Sequence, residues 1–314
     1  MDAPAIRCRG LVKIYPPDVR AVDGLDLEIH QGECFGLLGP NGAGKTTTVE
    51  ICEGLLEPTG GEVEILGCTW RNHEKELRRR IGISLQETQL PDKSSVFETV
   101  TLFRSFYPSG IDPEQAIRLV DLEHKRDAWV GKLSGGQKKR LEIACAVSGQ
   151  PELLFLDEPT TGLDPQARRQ LWELIRLLRA EGRTVLLTTH YLDEAEKLCD
   201  RVAIIDRGRV IAIGAPVELI ASLGGEHVIE FTDDEDVAQA EWLRSLPSVT
   251  EAQTENGRYC LTVERPHEAL PALLEALQAR GRTLRSLRTR HVSLEDVFLR
   301  LTGRRFEGEE ELAA

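Results

Sequence analysis

Apolar and polar residues alternate along the first part of the chain with the spacing of β-strands. Residues 6–29 carry this alternation, and Pro16-Pro17 interrupts it as a turn. A short apolar run at 33–38 follows, and its length suits a strand buried on both faces. The stretch 45–55 contains no Pro, so a helix can follow that strand. The pattern predicts a β-rich start that leads into a strand, a loop and a helix.

After this start, short apolar runs alternate with helical patterns. Such alternation is typical of α/β proteins, in which helices cover a central sheet. Residues 87–130 are mostly helical by period, and we predict a helical subdomain over about residues 87–145. A further helix is predicted over 166–180. Strands are predicted at 62–67, 81–85, 153–156, 184–189, 202–205 and 210–212.

The pattern changes after residue 224, and Lys is absent from that point onward. The predicted order there is β-α-β-β-α-β with an added helix, which is the ferredoxin-like order. We therefore predict one domain over residues 1–224, a smaller α+β domain over 225–303 and a disordered acidic tail over 304–314. The second domain's predicted strands are 227–231, 249–254, 259–263 and 284–292, and its predicted helices are 237–246, 269–279 and 294–301.

Length and charge agree with this division. A chain of 314 residues suggests about two domains. The net charge of −13 argues against a protein that coats nucleic acid. A cluster of arginines in the second domain permits a nucleic-acid patch, but the acidic surroundings and the lack of interleaved aromatic residues favour a solvated or salt-bridged strand face. These arginines are Arg280, Arg282, Arg285, Arg288 and Arg290.

Cysteine usage and hydropathy indicate a compartment. The 7 cysteines form no C-x-x-C pair, and most lie in apolar runs, so we predict reduced, buried thiols in the cytosol. The first residues lack the apolar core of a signal peptide. No apolar run approaches the ~20 residues that span a bilayer. Any role at a membrane is therefore expected to come through a partner.

The loop between the first buried strand and its helix reads G-x-x-x-x-G-K-[ST], the phosphate-binding pattern. Glycines allow backbone N–H groups to turn toward an anion, and the N-terminus of the helix adds partial positive charge. In this pattern the Lys reaches the β- and γ-phosphates and the Thr hydroxyl ligates Mg²⁺. The loop comprises Gly39, Pro40, Asn41, Gly42, Ala43, Gly44, Lys45 and Thr46.

A second glycine-rich turn precedes another helical pattern. It consists of Ser134, Gly135, Gly136 and Gln137. Two interpretations are open from these residues alone. The Ser can be an ordinary helix N-cap, or the turn can present N–H groups and a hydroxyl to an anion.

Two carboxylates and a histidine stand at the ends of predicted buried strands. Asp157 and Glu158 end the strand at 153–156, and His190 ends the strand at 184–189. Ligands of open α/β sheets lie at this edge. Asp157 is placed to hold hydrated Mg²⁺, and Glu158 is placed to orient or deprotonate water. His190 is either structural or within reach of a γ-phosphate.

Together these motifs resemble, in order and in spacing, those of ABC-type ATPases over about residues 6–220. The resemblance implies a P-loop NTPase (RecA-like) core with an N-terminal antiparallel β subdomain and a helical subdomain, and ATP and Mg²⁺ as ligands. It implies that Glu158 is the base, that His190 contacts the γ-phosphate and that Asp157 acts on Mg²⁺. Further nucleotide or metal contacts are implied for Tyr15, Lys45, Thr46, Thr47, Gln86 and Asp164. From the residues alone, Tyr15 is more typical of a strand-end core position.

The resemblance also implies partners. One chain carries one phosphate-binding loop and one turn at Ser134–Gln137, so two chains would dimerise head to tail, each supplying Ser134 and Gly136 to its partner's nucleotide. A narrower resemblance, to the ATPase subunits of daunorubicin-resistance-type exporters, includes the motif from Val292 to Leu299. It implies export through an integral membrane permease on a separate chain, with the subunit peripheral on the cytoplasmic face of the membrane. No nucleic acid is expected; the alternative is a non-transport ABC ATPase that acts on nucleic acid or the ribosome.

Overall fold

A computed structural model describes residues 3–85, 88–224, 227–234, 241–255 and 258–303. The chain forms two compact units, of which the first ends at Pro216 and the second begins at Val217. The strands of the first unit are β1 (Ile6–Tyr15), β2 (Val19–Ile29), β3 (Cys34–Leu38), β4 (Gly60–Ile65), β5 (Ile81–Ser84), β6 (Leu153–Asp157), β7 (Thr184–Thr189), β8 (Arg201–Asp206) and β9 (Arg209–Gly214). Its helices are α1 (Lys45–Cys52), α2 (Trp70–Arg80), α3 (Val96–Ser105), α4 (Pro113–Leu119), α5 (Gly135–Val147), α6 (Pro165–Ala180) and α7 (Leu192–Leu198).

A six-stranded sheet forms the centre of the first unit, in the order β5-β6-β7-β3-β8-β9. Only β9 runs antiparallel to its neighbour among these strands. Every residue of β3, β6 and β7 is buried, which is why their sequences are continuous apolar runs rather than alternating ones. Because the three strands are parallel, the loop after β3, the carboxylates at the end of β6 and the histidine after β7 meet at one edge.

A three-stranded antiparallel sheet, in the order β2-β1-β4, packs on the same core. Ile6 of β1 and Leu27 of β2 belong to one buried cluster with Phe35 of β3, Ile51 of α1 and Phe155 of β6. Fully burying each such side chain contributes on the order of 1.5–3 kcal/mol. The cluster therefore fixes α1, and the loop that precedes it, between the two sheets.

The helical region contains α3, α4 and α5. Ser95 and Glu98 form a capping box that starts α3, and Asp112 caps α4, so local sequence defines both starts. Between α4 and α5 lie two short 3-10 helices, at Glu123–Lys125 and Val130–Lys132, where the sequence period predicted more continuous helix. In the described part of the chain, no helix combines the length and apolarity that crossing a bilayer requires.

The second unit has strands β10 (His227–Asp233), β11 (Val249–Glu255), β12 (Arg258–Val263) and β13 (Leu284–His291), and helices α8 (Pro216–Ala221, which begins at the boundary), α9 (Pro266–Ala279) and α10 (Leu294–Thr302). All neighbouring strands are antiparallel in the order β11-β12-β10-β13, the ferredoxin-like arrangement predicted from the sequence. The helix predicted at 237–246 is a 3-10 helix at Glu241–Ser245 as far as it is described.

The start of the second unit differs from the sequence prediction, and the structure shows the partners of two clustered arginines. The unit begins before the predicted boundary after residue 224, because Leu223 is buried and its carbonyl accepts a hydrogen bond from Arg300 Nη1 (3.1 Å). Within the described residues, two of the five clustered arginines form ion pairs. Arg282 contacts Asp233 at 2.9 Å, and Arg290 contacts both Glu230 (2.8 Å) and Asp296 (2.7 Å). The predicted acidic tail lies outside the described residues.

Candidate functional site

The phosphate-binding loop passes so close to neighbouring backbone that two of its positions accept only glycine. A Cβ placed on Gly39 would lie 2.4 Å from the carbonyl oxygen of Ile205. A Cβ on Gly44 would lie 2.3 Å from the carbonyl oxygen of Ala21, and Gly44 has a φ of +102°. Side chains at either position would push the loop away from β2 and β8. The glycines of the motif thus serve close packing as well as conformation.

The buried side chain of Lys45 is hydrogen-bonded to the backbone of this loop. It is 6% exposed, and its Nζ donates to the carbonyl oxygens of Gly39 (2.6 Å) and Pro40 (3.1 Å). Burial lowers the pKa of Lys45, and the nearby carboxylates of Glu158 and Asp157 oppose that shift. An ammonium group with three donors has one left for a ligand. The lysine is therefore held in place while retaining a donor and a positive charge for an anion.

The N-terminus of α1 provides further donors. Gly44 stands at its N-cap position and has no side chain to accept the first N–H groups of the helix. The N–H groups of Lys45 and Thr46 therefore suit an anion, as a helix N-terminus generally does. Tyr15 lies nearby at the end of β1, with its hydroxyl 3.4 Å from Thr47 Oγ1. The structure thus brings Tyr15, predicted to stack on adenine, to the helix that begins at the loop.

Asp157 and Glu158 are fixed by one threonine of the neighbouring strand β7. The Thr188 hydroxyl donates to Asp157 Oδ1 and accepts a hydrogen bond from the backbone N–H of Glu158 (3.0 Å). Glu158 has a φ of +43°, a left-handed conformation that a residue other than Gly seldom adopts. Thr188 therefore supports the bend that turns the Glu158 side chain away from the strand.

Glu158 and His190 form a pair at the sheet edge. His190 Nδ1 lies 3.2 Å from Glu158 Oε2, and the Thr161 hydroxyl donates to the same oxygen (3.1 Å). The hydrogen bond from His190 lowers the pKa of Glu158, with further contributions from Thr161 and Lys45 and against the effect of burial. The carboxylate is thus stabilised in its charged form, the form that accepts a proton from water.

The turn at Ser134–Gln137 is a helix start with a complete capping box. Ser134 Oγ accepts from the backbone N–H of Gln137 (3.3 Å), and Gln137 Oε1 accepts from the N–H of Ser134 (3.0 Å). A Cβ on Gly136 would lie 2.8 Å from the Cβ of Ala167 on α6. Asp164 begins α6, because its Oδ1 accepts from the N–H groups of Gln166 and Ala167, each at 2.9 Å. The N-cap interpretation is therefore correct, and it leaves the hydroxyl hydrogen of Ser134 available.

Sequence reasoning missed Thr188 and Thr161, whose hydroxyls hold the two carboxylates. The available signal was a pair of threonines, 188 and 189, at the end of an otherwise apolar run. Gln86, predicted to sense the metal, lies outside the described residues. The other predicted residues at this edge, Lys45, Asp157, Glu158 and His190, are brought together.

Comparison with known families agrees with this geometry. A family model described as ABC transporter matches residues 22–161. A second model, described as ATP-binding protein DrrA1-3-like, C-terminal domain, matches residues 214–302. The first match lies within the first unit and the second spans most of the second unit. They confirm the predicted resemblance to ABC-type ATPases and to the ATPase subunits of daunorubicin-resistance-type exporters.

Similar curated proteins are named Nod factor export ATP-binding protein I. The one from Burkholderia orbicola (strain AU 1054) is 40% identical over 314 residues, covering 98% of this chain and 100% of the relative. The one from Burkholderia pseudomallei (strain K96243) is 43% identical over 294 residues, covering 91% and 93%. The names of both relatives agree with the predicted export function.

Solved structures confirm the predicted fold class. CbiO1 from Clostridium perfringens, described as part of the ABC transporter complex cbiONQ, superposes with a TM-score of 0.64 at 32% identity, over 70% of this chain and 92% of that chain. A dimeric ATP-binding cassette in a post-hydrolysis state, bound to ADP and Pi, superposes with a TM-score of 0.61 at 26% identity, over 67% and 98%. Because the two relatives are 40% and 43% identical over 98% and 91% of this chain, the chain belongs to the ATP-binding subunits of ABC transporters.

Proposed function

We propose that this chain hydrolyses ATP to ADP and phosphate with Mg²⁺ and thereby drives a separate membrane permease for export. The observation that carries the proposal is the charged Glu158 paired with His190 beside the buried ammonium of Lys45. A phosphate-binding cation and a carboxylate base on one sheet edge are what hydrolysis of a phosphoanhydride needs.

The residues present fit both ligands. Lys45, the loop amides and the N-terminus of α1 offer donors to phosphate oxygens, and Tyr15 offers a ring for stacking on adenine. The Thr46 hydroxyl and the carboxylate of Asp157 are oxygen ligands of the kind Mg²⁺ prefers, with Gln86 as a further candidate. Bound Mg²⁺ would neutralise charge on the phosphate oxygens. Glu158 would take the proton of the attacking water, and His190 would hold Glu158 and contact the γ-phosphate.

We further propose that the working unit is a head-to-tail homodimer. Each chain has one phosphate-binding loop and one turn at Ser134–Gln137, so each complete site would take Ser134, Gly135, Gly136 and Gln137 from the second copy, with Asp164 at the junction. The dimeric cassette bound to ADP and Pi supports this arrangement by similarity.

The permease is the partner that would bring this subunit to the inner face of the membrane. Large apolar side chains are exposed on the helical region, among them Leu102 (48%), Phe106 (65%) and Trp129 (51%), and exposed side chains of this kind favour protein contacts. The names of the relatives support export as the direction of transport. The permease would select the transported substrate. The second unit would be an accessory domain of the same subunit.

The test is ATP hydrolysis by the purified full-length chain, measured with and without Mg²⁺. Glu158→Gln should abolish turnover, keep ATP affinity and accumulate an ATP-bound dimer, whereas Lys45→Ala should lose affinity. Glu173→Gln, an exposed carboxylate on α6, is the control and should hydrolyse like the wild type. Undiminished hydrolysis by Glu158→Gln would refute the assignment of the base. Co-purification with nucleic acid instead of one integral membrane protein would refute the transport assignment.

A further inference from the structure

Glu194 is a fully buried carboxyl directly behind the hydrolysis site, and the proposed chemistry does not use it. It lies on α7, which begins two residues after His190, and its exposure is 0%. Its Oε1 accepts a hydrogen bond from the indole Nε1 of Trp172 on α6 (2.9 Å). A buried carboxyl is costly unless it is hydrogen-bonded, so its retention in the core calls for a reason.

Two buried hydroxyls also face this carboxyl. Thr189 is the residue immediately before His190, and Thr160 lies in the turn that follows Glu158. Both are at most 1% exposed. Burial raises the pKa of Glu194, while hydrogen bonding by Thr189, Trp172 and Thr160 opposes that shift. Among the described residues neither Glu194 Oε2 nor Thr160 Oγ1 has a hydrogen bond of good geometry. The bond from the Trp172 indole is the contact to this carboxyl that distance and angle support.

The three neighbours of Glu194 come from three elements that build the site. Thr189 belongs to the end of β7 that presents His190, Thr160 to the turn after Glu158, and Trp172 to α6. A second contact joins the same elements: the Tyr191 ring lies 4.1 Å from the His190 ring, and the Arg168 guanidinium of α6 lies 4.3 Å from the Tyr191 ring. The end of β7 is thus held against α6 on both sides of His190.

We infer that Glu194 is a positioning residue, which fixes His190 and the turn after Glu158 relative to α6 through Trp172, Thr189 and Thr160. The inference rests on the proposed hydrolysis. The contact between His190 and Glu158 is 3.2 Å long, so a small displacement of either strand end breaks it. Displacement of a reacting group by about 1 Å costs on the order of 100-fold in rate. Glu194 would therefore affect turnover without touching ATP.

The experiment compares steady-state ATP hydrolysis by Glu194→Ala, Glu194→Gln and Thr160→Val in the full-length chain. Rates are normalised to the folded fraction from ATP-binding stoichiometry. For Glu194→Ala we expect kcat to fall by roughly 100-fold while KM for ATP stays within about twofold. Glu194→Gln, which can still accept the indole hydrogen bond, should recover about tenfold of that loss. Asp193→Asn, an adjacent carboxylate at the surface, is the matched control and should leave kcat unchanged.

A double-mutant cycle provides the second readout. If Thr160 acts through Glu194, the variant with both Thr160→Val and Glu194→Ala should lose no more kcat than Glu194→Ala alone. Additive losses, or a normalised kcat of Glu194→Ala within twofold of the wild type, would overturn the inference. These outcomes are distinct from failure of the proposed function, which would appear as a wild-type chain without Mg²⁺-dependent hydrolysis.

Discussion

Glu53 is a buried acid beneath the phosphate-binding helix, and its substitution should change how stability depends on pH. It follows α1 directly, is 1% exposed, and among the described residues its Oε1 has no hydrogen-bond partner. Burial raises the pKa of Glu53 from 4.5 to about 8, and the charges of Asp157 and Glu50 act in the same direction. The native protein therefore holds this side chain protonated at neutral pH.

The sign of the effect follows from proton binding. Between pH 4.5 and about 8 the native state binds a proton at Glu53 that the unfolded state has released, so the free energy of unfolding falls as pH rises. Each unit of pH within this window costs about 1.4 kcal/mol, and the penalty disappears below the unfolded pKa. Allowing for partial titration near both limits, the penalty grows by about 3.5 kcal/mol between pH 5 and pH 8.

Glu53→Gln removes the titrating group and keeps its shape. The buried amide does not titrate, so any effect it has on the free energy of unfolding is the same at every pH. The informative quantity is therefore how the difference in unfolding free energy between variant and wild type changes as pH increases. Urea unfolding at intervals from pH 5 to pH 8 should show this difference move by about 3.5 kcal/mol in favour of Gln. Glu62→Gln, an exposed residue of β4, is the control, because surface substitutions change stability by about 0.5 kcal/mol or less. Parallel stability curves for Glu53→Gln and wild type would refute the buried-acid explanation.

Two further substitutions test how the site is held. Gly39→Ala should destabilise the chain by roughly 1–3 kcal/mol in thermal unfolding, because its Cβ would lie 2.4 Å from the Ile205 carbonyl oxygen. Gly135→Ala, whose Cβ has no neighbour closer than 3.9 Å, should change stability far less, and equal effects would contradict the packing argument. Thr188→Val should cost about 1–3 kcal/mol in urea unfolding and raise the Mg²⁺ concentration needed for hydrolysis, since Asp157 loses its hydroxyl donor and the Glu158 N–H keeps only the Thr188 backbone carbonyl. An unaltered Mg²⁺ titration would show that Thr188 does not position Asp157.

The strands that position the site were predictable, because they are continuous apolar runs that end in chemistry-bearing residues. The strand at 184–189 has the same bounds in sequence and structure, and the helix predicted from 166 begins at Pro165. The region between α4 and α5 was less predictable. Its short 3-10 turns are set by tertiary contacts such as the Arg126 guanidinium 3.9 Å from the Phe97 ring, which no local period encodes.

Buried carboxyls were not predictable from period or propensity. Glu53 interrupts an apolar run, Ile51-Cys52 before it and Leu55-Leu56 after it, and that interruption is the one signal the sequence offers. Glu194 stands in a helix start rich in acidic residues, where a solvated position is the ordinary expectation. Its burial depends on Trp172 from a different helix, so it becomes visible only after α6 and α7 pack together.

The hydrogen bonds at the two glycine-rich turns preorganise the groups that each chain would contribute to the proposed hydrolysis site. Lys45 uses two of its three donors on loop carbonyls, and Ser134 uses its hydroxyl as an acceptor from the Gln137 N–H. The Lys45 ammonium and the Ser134 hydroxyl thus each keep one hydrogen that is not used in these bonds. The same bonds fix each side chain to its own loop. A phosphate group between two chains could accept both hydrogens without disturbing either loop. Dimerisation would then need little reorganisation of these side chains, and ATP itself would supply the missing acceptor that draws the second copy onto the first.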